Sequence, residues 1–134
     1  MQSHNRLRSF TTLIFVYSFT IGVHSACWRI EGFQGYSAKS YEKYQITPDG
    51  LGSQAFRLVI EENKAALFPS NGLACSKVSE TSAVCAATDG VRAIVEVWTV
   101  DPIQRKAYQT HSRSGSGALN GSALFIGNVV AACD

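Results

Sequence analysis

The sequence predicts an all-β fold, a small antiparallel β-sandwich or barrel of about seven or eight strands, held by disulfides. Three observations lead there. Residues 91–113 (VRAIVEVWTVDPIQRKAYQTHSR) alternate with a period of two on either side of Asp101-Pro102, the most regular pattern in the chain. Short runs rich in β-branched and aromatic residues recur between turn signals carrying Gly, Pro, Asn or Asp. Four cysteines, Cys27, Cys75, Cys85 and Cys133, lie downstream of a leader-like segment, where export makes disulfides the expected state.

The leader comes first in the chain. Residues 1–11 carry Arg6 and Arg8 and no acid, residues 12–23 (TLIFVYSFTIGV) are uncharged and largely apolar, and His24-Ser25-Ala26 follows. That is the layout of a secretory signal peptide, and the apolar run is short for a bilayer span. Cleavage after Ser25 places Val23 and Ser25 at the two small-residue positions, so residues 1–25 are expected to be signal and 26–134 one exported domain. A competing reading takes Cys27 as a lipid-bearing cysteine and the product as a lipid-anchored envelope component. His24 stands where an aliphatic residue is usual for that processing, and lipidation would strand an odd number of thiols.

The elements then follow in order. Residues 27–33 (CWRIEGF) can form a first strand with Trp28 and Ile30 on one face, and residues 36–46, with Tyr36, Tyr41 and Tyr44, suit a partly exposed strand. Thr47-Pro48-Asp49-Gly50 is a strong turn signal. Residues 55–61 (AFRLVIE) point Phe56, Leu58 and Ile60 one way; Glu62-Asn63-Lys64 reverses the chain, and residues 65–68 return to Pro69. Residues 73–78 and 82–87 read as a hairpin centred on Glu80, which would set Cys75 opposite Cys85. Cys27 and Cys133 would then join the ends of the domain.

Asp89-Gly90 turns the chain into the central hairpin. Its expected turn spans residues 101–104, with Asp at the first and Pro at the second position of a type I turn. That register sets Trp98 opposite Ala107, Glu96 opposite Gln109 and Ile94 opposite His111. The small residues Val91, Ala93, Val95 and Val97, with Tyr108 and Thr110, would face the core. Ser114–Gly117 reads as a loop and Asn120-Gly121 as a turn; Asn120 also heads a glycosylation triplet, relevant in a eukaryotic source. Residues 123–133 (ALFIGNVVAAC) are nearly all apolar. A buried strand bent at Gly127 is preferred over a short helix, which periodicity alone does not separate from it.

Composition narrows the function. With Arg6 and Arg8 removed, ten basic residues face ten acidic ones, so no basic stripe remains to neutralise nucleic-acid phosphates or anionic lipid. No C-x-x-C pair occurs and His111 is the one histidine beyond the leader, which argues against zinc; no metal or cofactor is expected. Neither a G-x-S-x-G motif nor a phosphate-cradling or calcium loop is present, and Ser112 should point to the face opposite His111, so catalysis is not expected. A small secreted hydrolase remains the last alternative. The preferred expectation is a secreted or periplasmic, non-enzymatic binding module, of the kind a small inhibitor represents, whose partner is a protein or small ligand in the envelope or outside the cell. Its candidate surface is the face shared by Arg92, Ile94, Glu96, Trp98, Gln109, His111 and Arg113, with Trp98 as an aromatic anchor. The three tyrosines form a second candidate.

Overall fold

The computed structural model describes residues 25–133; the expected signal peptide lies almost wholly outside them, only Ser25 being described. Nine strands form a single antiparallel sheet that curls into a nearly closed barrel: β1 (Ala26–Lys39), β2 (Ile46–Gly50), β3 (Phe56–Ile60), β4 (Ala65–Phe68), β5 (Ala74–Ser79), β6 (Ser82–Asp89), β7 (Arg92–Asp101), β8 (Lys106–Ser114) and β9 (Gly121–Ala132). Going round, the order is β4-β3-β1-β9-β8-β7-β6-β5, and β4 and β5 face each other across the remaining gap. Strand β2 shares one edge of β1 with β3: Ala26–Ile30 pairs with β3, and Gln34–Ala38 pairs with β2. A barrel of eight strands is just wide enough for side chains to fill its interior.

The long first strand changes phase half-way. Glu31 pairs with Asn128 and Gln34 with Ile126, so Gly32 and Phe33 together oppose Gly127. This is a bulge led by a glycine in the left-handed region (Gly32 φ 72°), a conformation costly for any residue with a Cβ. Before the bulge Ile30 points inward; after it Phe33, Gly35 and Ser37 follow the opposite parity. Phe33 thereby swings over Gly127, where an added Cβ would come within 2.8 Å of its ring. Strand β9 runs unbroken through Gly127, so the expected bend sits in β1 instead.

The core occupies the end of the barrel that carries the β3–β4, β5–β6 and β7–β8 hairpins. Trp98, Phe33 and Phe56 meet at its centre, with ring centroids 4.9 to 5.8 Å apart in tilted and edge-on arrangements. Ile30, Leu58, Ile60, Leu67, Val100 and Val129 pack around them. Both expected disulfides are present: Cys75–Cys85 crosses the β5–β6 hairpin, and Cys27–Cys133 joins the neighbouring ends of β1 and β9. The Cys27 sulfur is thus taken up by Cys133, which corrects the alternative of a lipid anchor at that residue. Among the described residues no helix is long and apolar enough to cross a membrane.

Three further expectations are corrected. Thr47-Pro48-Asp49-Gly50 lies inside β2 rather than in a turn. Pro48 is tolerated because β2 pairs only with β1, so the missing N–H can lie on its unpaired edge. Residues 36–46 are not one strand: β1 ends at Lys39, a 3-10 turn covers Ser40–Glu42, and Lys43 and Tyr44 reverse the chain with positive φ. The central hairpin turns over residues 102–105, pairing Asp101 with Lys106, Trp98 with Gln109 and Glu96 with His111. Asp101 Oδ1 accepts from the N–H groups of both Ile103 and Gln104, which holds this longer turn. The slip from the expected register is two residues, so the same side chains still share a face.

Candidate functional site

That shared face is the inside of the barrel, the reverse of the expected orientation. Trp98 and Gln109 are each 1 % exposed, whereas Val95 and Val97 lie on the outside at 41 % and 38 %. The volume available decides this. The interior needs large side chains across its middle, and Trp98 fills a space that the small valines could not. Trp98 is therefore a core residue and not a surface anchor. Arg92 stays exposed at the rim, while Glu96, His111 and Arg113 are half-buried along the inner wall.

Register places these side chains in layers. Trp98, Gln109, Phe125 and Gly35 are laterally aligned across β7, β8, β9 and β1. Above them come Glu96, His111, Ala123 and Ser37, and at the mouth Ile94, Arg113, Gly121 and Lys39. The β8 members grow longer and more polar towards the opening. Their neighbours on β9 shrink to Ala123 and Gly121. At Gly121 a Cβ would collide with the Ala38 carbonyl at 1.9 Å, so close approach of β1 and β9 requires glycine there. The bare wall leaves a hollow of about 220 Å³ at this end, bounded by His111, Arg113, Lys39, Asp49, Leu119 and Phe125.

The hollow is unevenly charged. Lys39 Nζ and Asp49 Oδ2 form an ion pair at 2.6 Å between β1 and β2. Burial tends to raise the Asp49 carboxyl, but the Lys39 ammonium, the Ser37 hydroxyl and the Gly50 N–H outweigh it and hold it below its ordinary value. Arg113 has no ion-pair partner among the described residues, and its Nε is buried without a hydrogen bond. Gln109 Oε1 is also buried without a partner, and the buried Ser37 hydroxyl has the Asp49 carboxyl within its reach. Native interiors leave few polar atoms in that condition.

Glu96 and His111 are shifted toward neutrality. Burial pushes the Glu96 carboxyl above its ordinary range, opposed but not cancelled by Trp98 Nε1–H at 2.8 Å, the Gln109 amide and the Arg113 charge. Burial also lowers His111, and Arg113 adds to the shift. A carboxyl with a raised folded-state value holds its proton where the unfolded chain has lost it, so Glu96 makes stability fall as pH rises above about 4.5. His111 acts in the opposite sense: stability falls as pH drops below about 6.5, where the unfolded chain protonates first. Glu96→Gln keeps an oxygen for Trp98 and removes the buried charge. It should raise the melting temperature at pH 7, and the gain should vanish near pH 4; a loss at pH 7 would contradict the desolvated state of Glu96.

Ser112 lies outside, where its hydroxyl meets that of Ser122 at 3.2 Å, so no nucleophile from the adjacent serine reaches His111. No group of three potential metal ligands occurs among the described residues. Tyr36, Tyr41 and Tyr44 are exposed, Tyr36 on β1 and the others in the turn after it; the Tyr41 ring lies 5.9 Å from Lys39 Nζ, but none of the three lines the hollow. The Asn120 side chain accepts from Ser116 N–H at 2.6 Å and braces the loop that brings Leu119 over the mouth.

Compared with protein-family models, with curated proteins and with solved structures, the chain finds no match in any of the three. Its site must be read from its own residues. Alternation puts Glu96, Gln109, His111 and Arg113 on one face, as the register of β7 and β8 does, but gives no sign of Lys39, Asp49, Leu119 and Phe125 beside the last two. The signal available for these was the small pair Gly121 and Ala123, which marks where an inner wall is left bare.

Proposed function

We propose that this chain is an exported, non-enzymatic binding protein that takes its ligand at the open end of the barrel. The observation that carries the reading is the asymmetry of the interior. One end is packed solid with aromatic side chains, and the other keeps a hollow rimmed by Arg113, His111 and the Lys39–Asp49 pair, with the buried Arg113 Nε unpaired at its edge. Leaving such atoms unsatisfied costs stability, typically about 1–3 kcal/mol for each buried group, and a fold tolerates that cost where the groups serve recognition. The leader-like segment and the two disulfides support export to an oxidising compartment. The outward position of Ser112, whose hydroxyl meets Ser122, gives His111 no nucleophile from its neighbour in sequence and favours binding over hydrolysis.

Amide spectra recorded during titration with a mixture of small ligands test this. Shifts should gather on the mouth residues of β1, β8 and β9 and on the loop carrying Leu119. Shifts confined to the outer face of β7–β9 would contradict the proposal.

A further inference from the structure

Resting on that reading, we propose that the hollow is a carboxylate site: Arg113 takes the acid group of a small organic acid or of a peptide C-terminus, and Phe125, Leu51 and Leu119 take its apolar body. The size of the hollow limits the ligand. Its 220 Å³ lies below the roughly 300 Å³ where drug-sized pockets begin. Only a compact molecule, or the last residue of a chain, fits inside.

The charges of the hollow select its sign. Lys39 and Asp49 neutralise each other at 2.6 Å, which leaves Arg113 as the unbalanced charge at the mouth. The nearest carboxyl along the wall, Glu96, sits one layer deeper and is held by Trp98 Nε1–H at 2.8 Å. It forms no ion pair with Arg113. Burial of the Arg113 Nε without a partner means that one donor of the guanidinium fork is already out of water. An incoming carboxylate would supply two acceptor oxygens in the geometry that a guanidinium matches, and such pairs are among the strongest hydrogen bonds available.

The surroundings fit the rest of such a ligand. The Phe125 ring forms the floor and lies 5.8 Å from the His111 ring, and Leu51 and Leu119 supply apolar walls. His111 is held toward its neutral form chiefly by burial, so it adds a hydrogen-bonding group without a second charge. A cationic ligand would meet the Arg113 charge first, with Asp49 already committed to Lys39.

Calorimetric titration of the full mature protein with benzoate, benzamide and benzylamine tests the sign of the site. Benzoate should bind with a dissociation constant of about 1 mM or tighter, at least about tenfold more tightly than either neutral or cationic analogue, the scale of a lost charged hydrogen bond. Arg113→Gln should abolish that preference and Arg113→Lys should retain part of it, the fold of each being checked by its amide spectrum. Acetyl-Gly-Phe as free acid and as C-terminal amide separates the two sources. Selective binding of the free acid at lower concentrations than benzoate points to a peptide end, the reverse to a small metabolite acid, and both support the carboxylate site. Equal affinity for benzoate and benzamide, or preference for benzylamine, would overturn the carboxylate assignment while leaving the mouth as a ligand site. Benzoate shifts outside the mouth would overturn it together with the reading on which it rests.

Discussion

Trp98→Ala should cost the barrel about 4 kcal/mol of stability and lower its melting temperature by roughly 15 °C. Trp98 is 1 % exposed and sits between Phe33, at 5.4 Å and nearly perpendicular, and Phe56, at 4.9 Å and tilted. Its removal opens a cavity between two rings that are anchored on β1 and β3, strands that do not move independently. The substitution also takes away the indole N–H that faces Glu96, leaving a half-buried carboxylate with one donor fewer. Trp98→Phe separates the two effects, because it keeps most of the volume and loses the hydrogen bond; about 1–2 kcal/mol is expected. Thermal unfolding followed by circular dichroism measures both. An unchanged melting temperature in Trp98→Ala would mean that the indole is not part of the core.

The second large effect belongs to Cys27–Cys133. This bridge closes a loop of 106 residues, for which the chain-entropy model gives roughly 5 kcal/mol, against roughly 3 for the ten-residue separation of Cys75–Cys85. It also lies on the seam where the barrel's first and last strands meet, beside the hydrogen bond from Cys133 N–H to the Cys27 carbonyl at 3.0 Å. Cys27→Ser with Cys133→Ser should therefore lower the denaturant midpoint more than Cys75→Ser with Cys85→Ser. Equal losses, or a larger loss at the hairpin bridge, would contradict the dependence on loop length from which the two bridges are ranked.

Much of the architecture was legible in the residues. Alternation located the β7–β8 hairpin and sorted its side chains into two sets, and cysteine spacing with a turn near Glu80 set out both disulfides. What alternation does not supply is the direction of each set. Val95 and Val97 carry the usual look of a core, and Glu96, Gln109, His111 and Arg113 that of a solvated face. A narrow barrel reverses the rule, because its middle demands bulk and its open end admits polar groups. The phase change in β1 was hidden for a related reason: Gly32 reads as a loosening of the chain, whereas it lets Phe33 enter the core on the opposite parity. Lys39 and Asp49 escaped notice because they are ten residues apart and on either side of a turn. Only the pairing of β1 with β2 brings them together.

Binding at the open end of the barrel requires a particular amide map of the mature protein under ligand titration. The result expected is a set of shifts centred on His111, Arg113, Leu119, Gly121 and Lys39, fading toward Trp98 and absent from Val95 and Val97. A map centred on the outer valines, on Leu124 and Ile126, or on the three exposed tyrosines, with the mouth silent, would contradict it and move the site to the outside of the barrel.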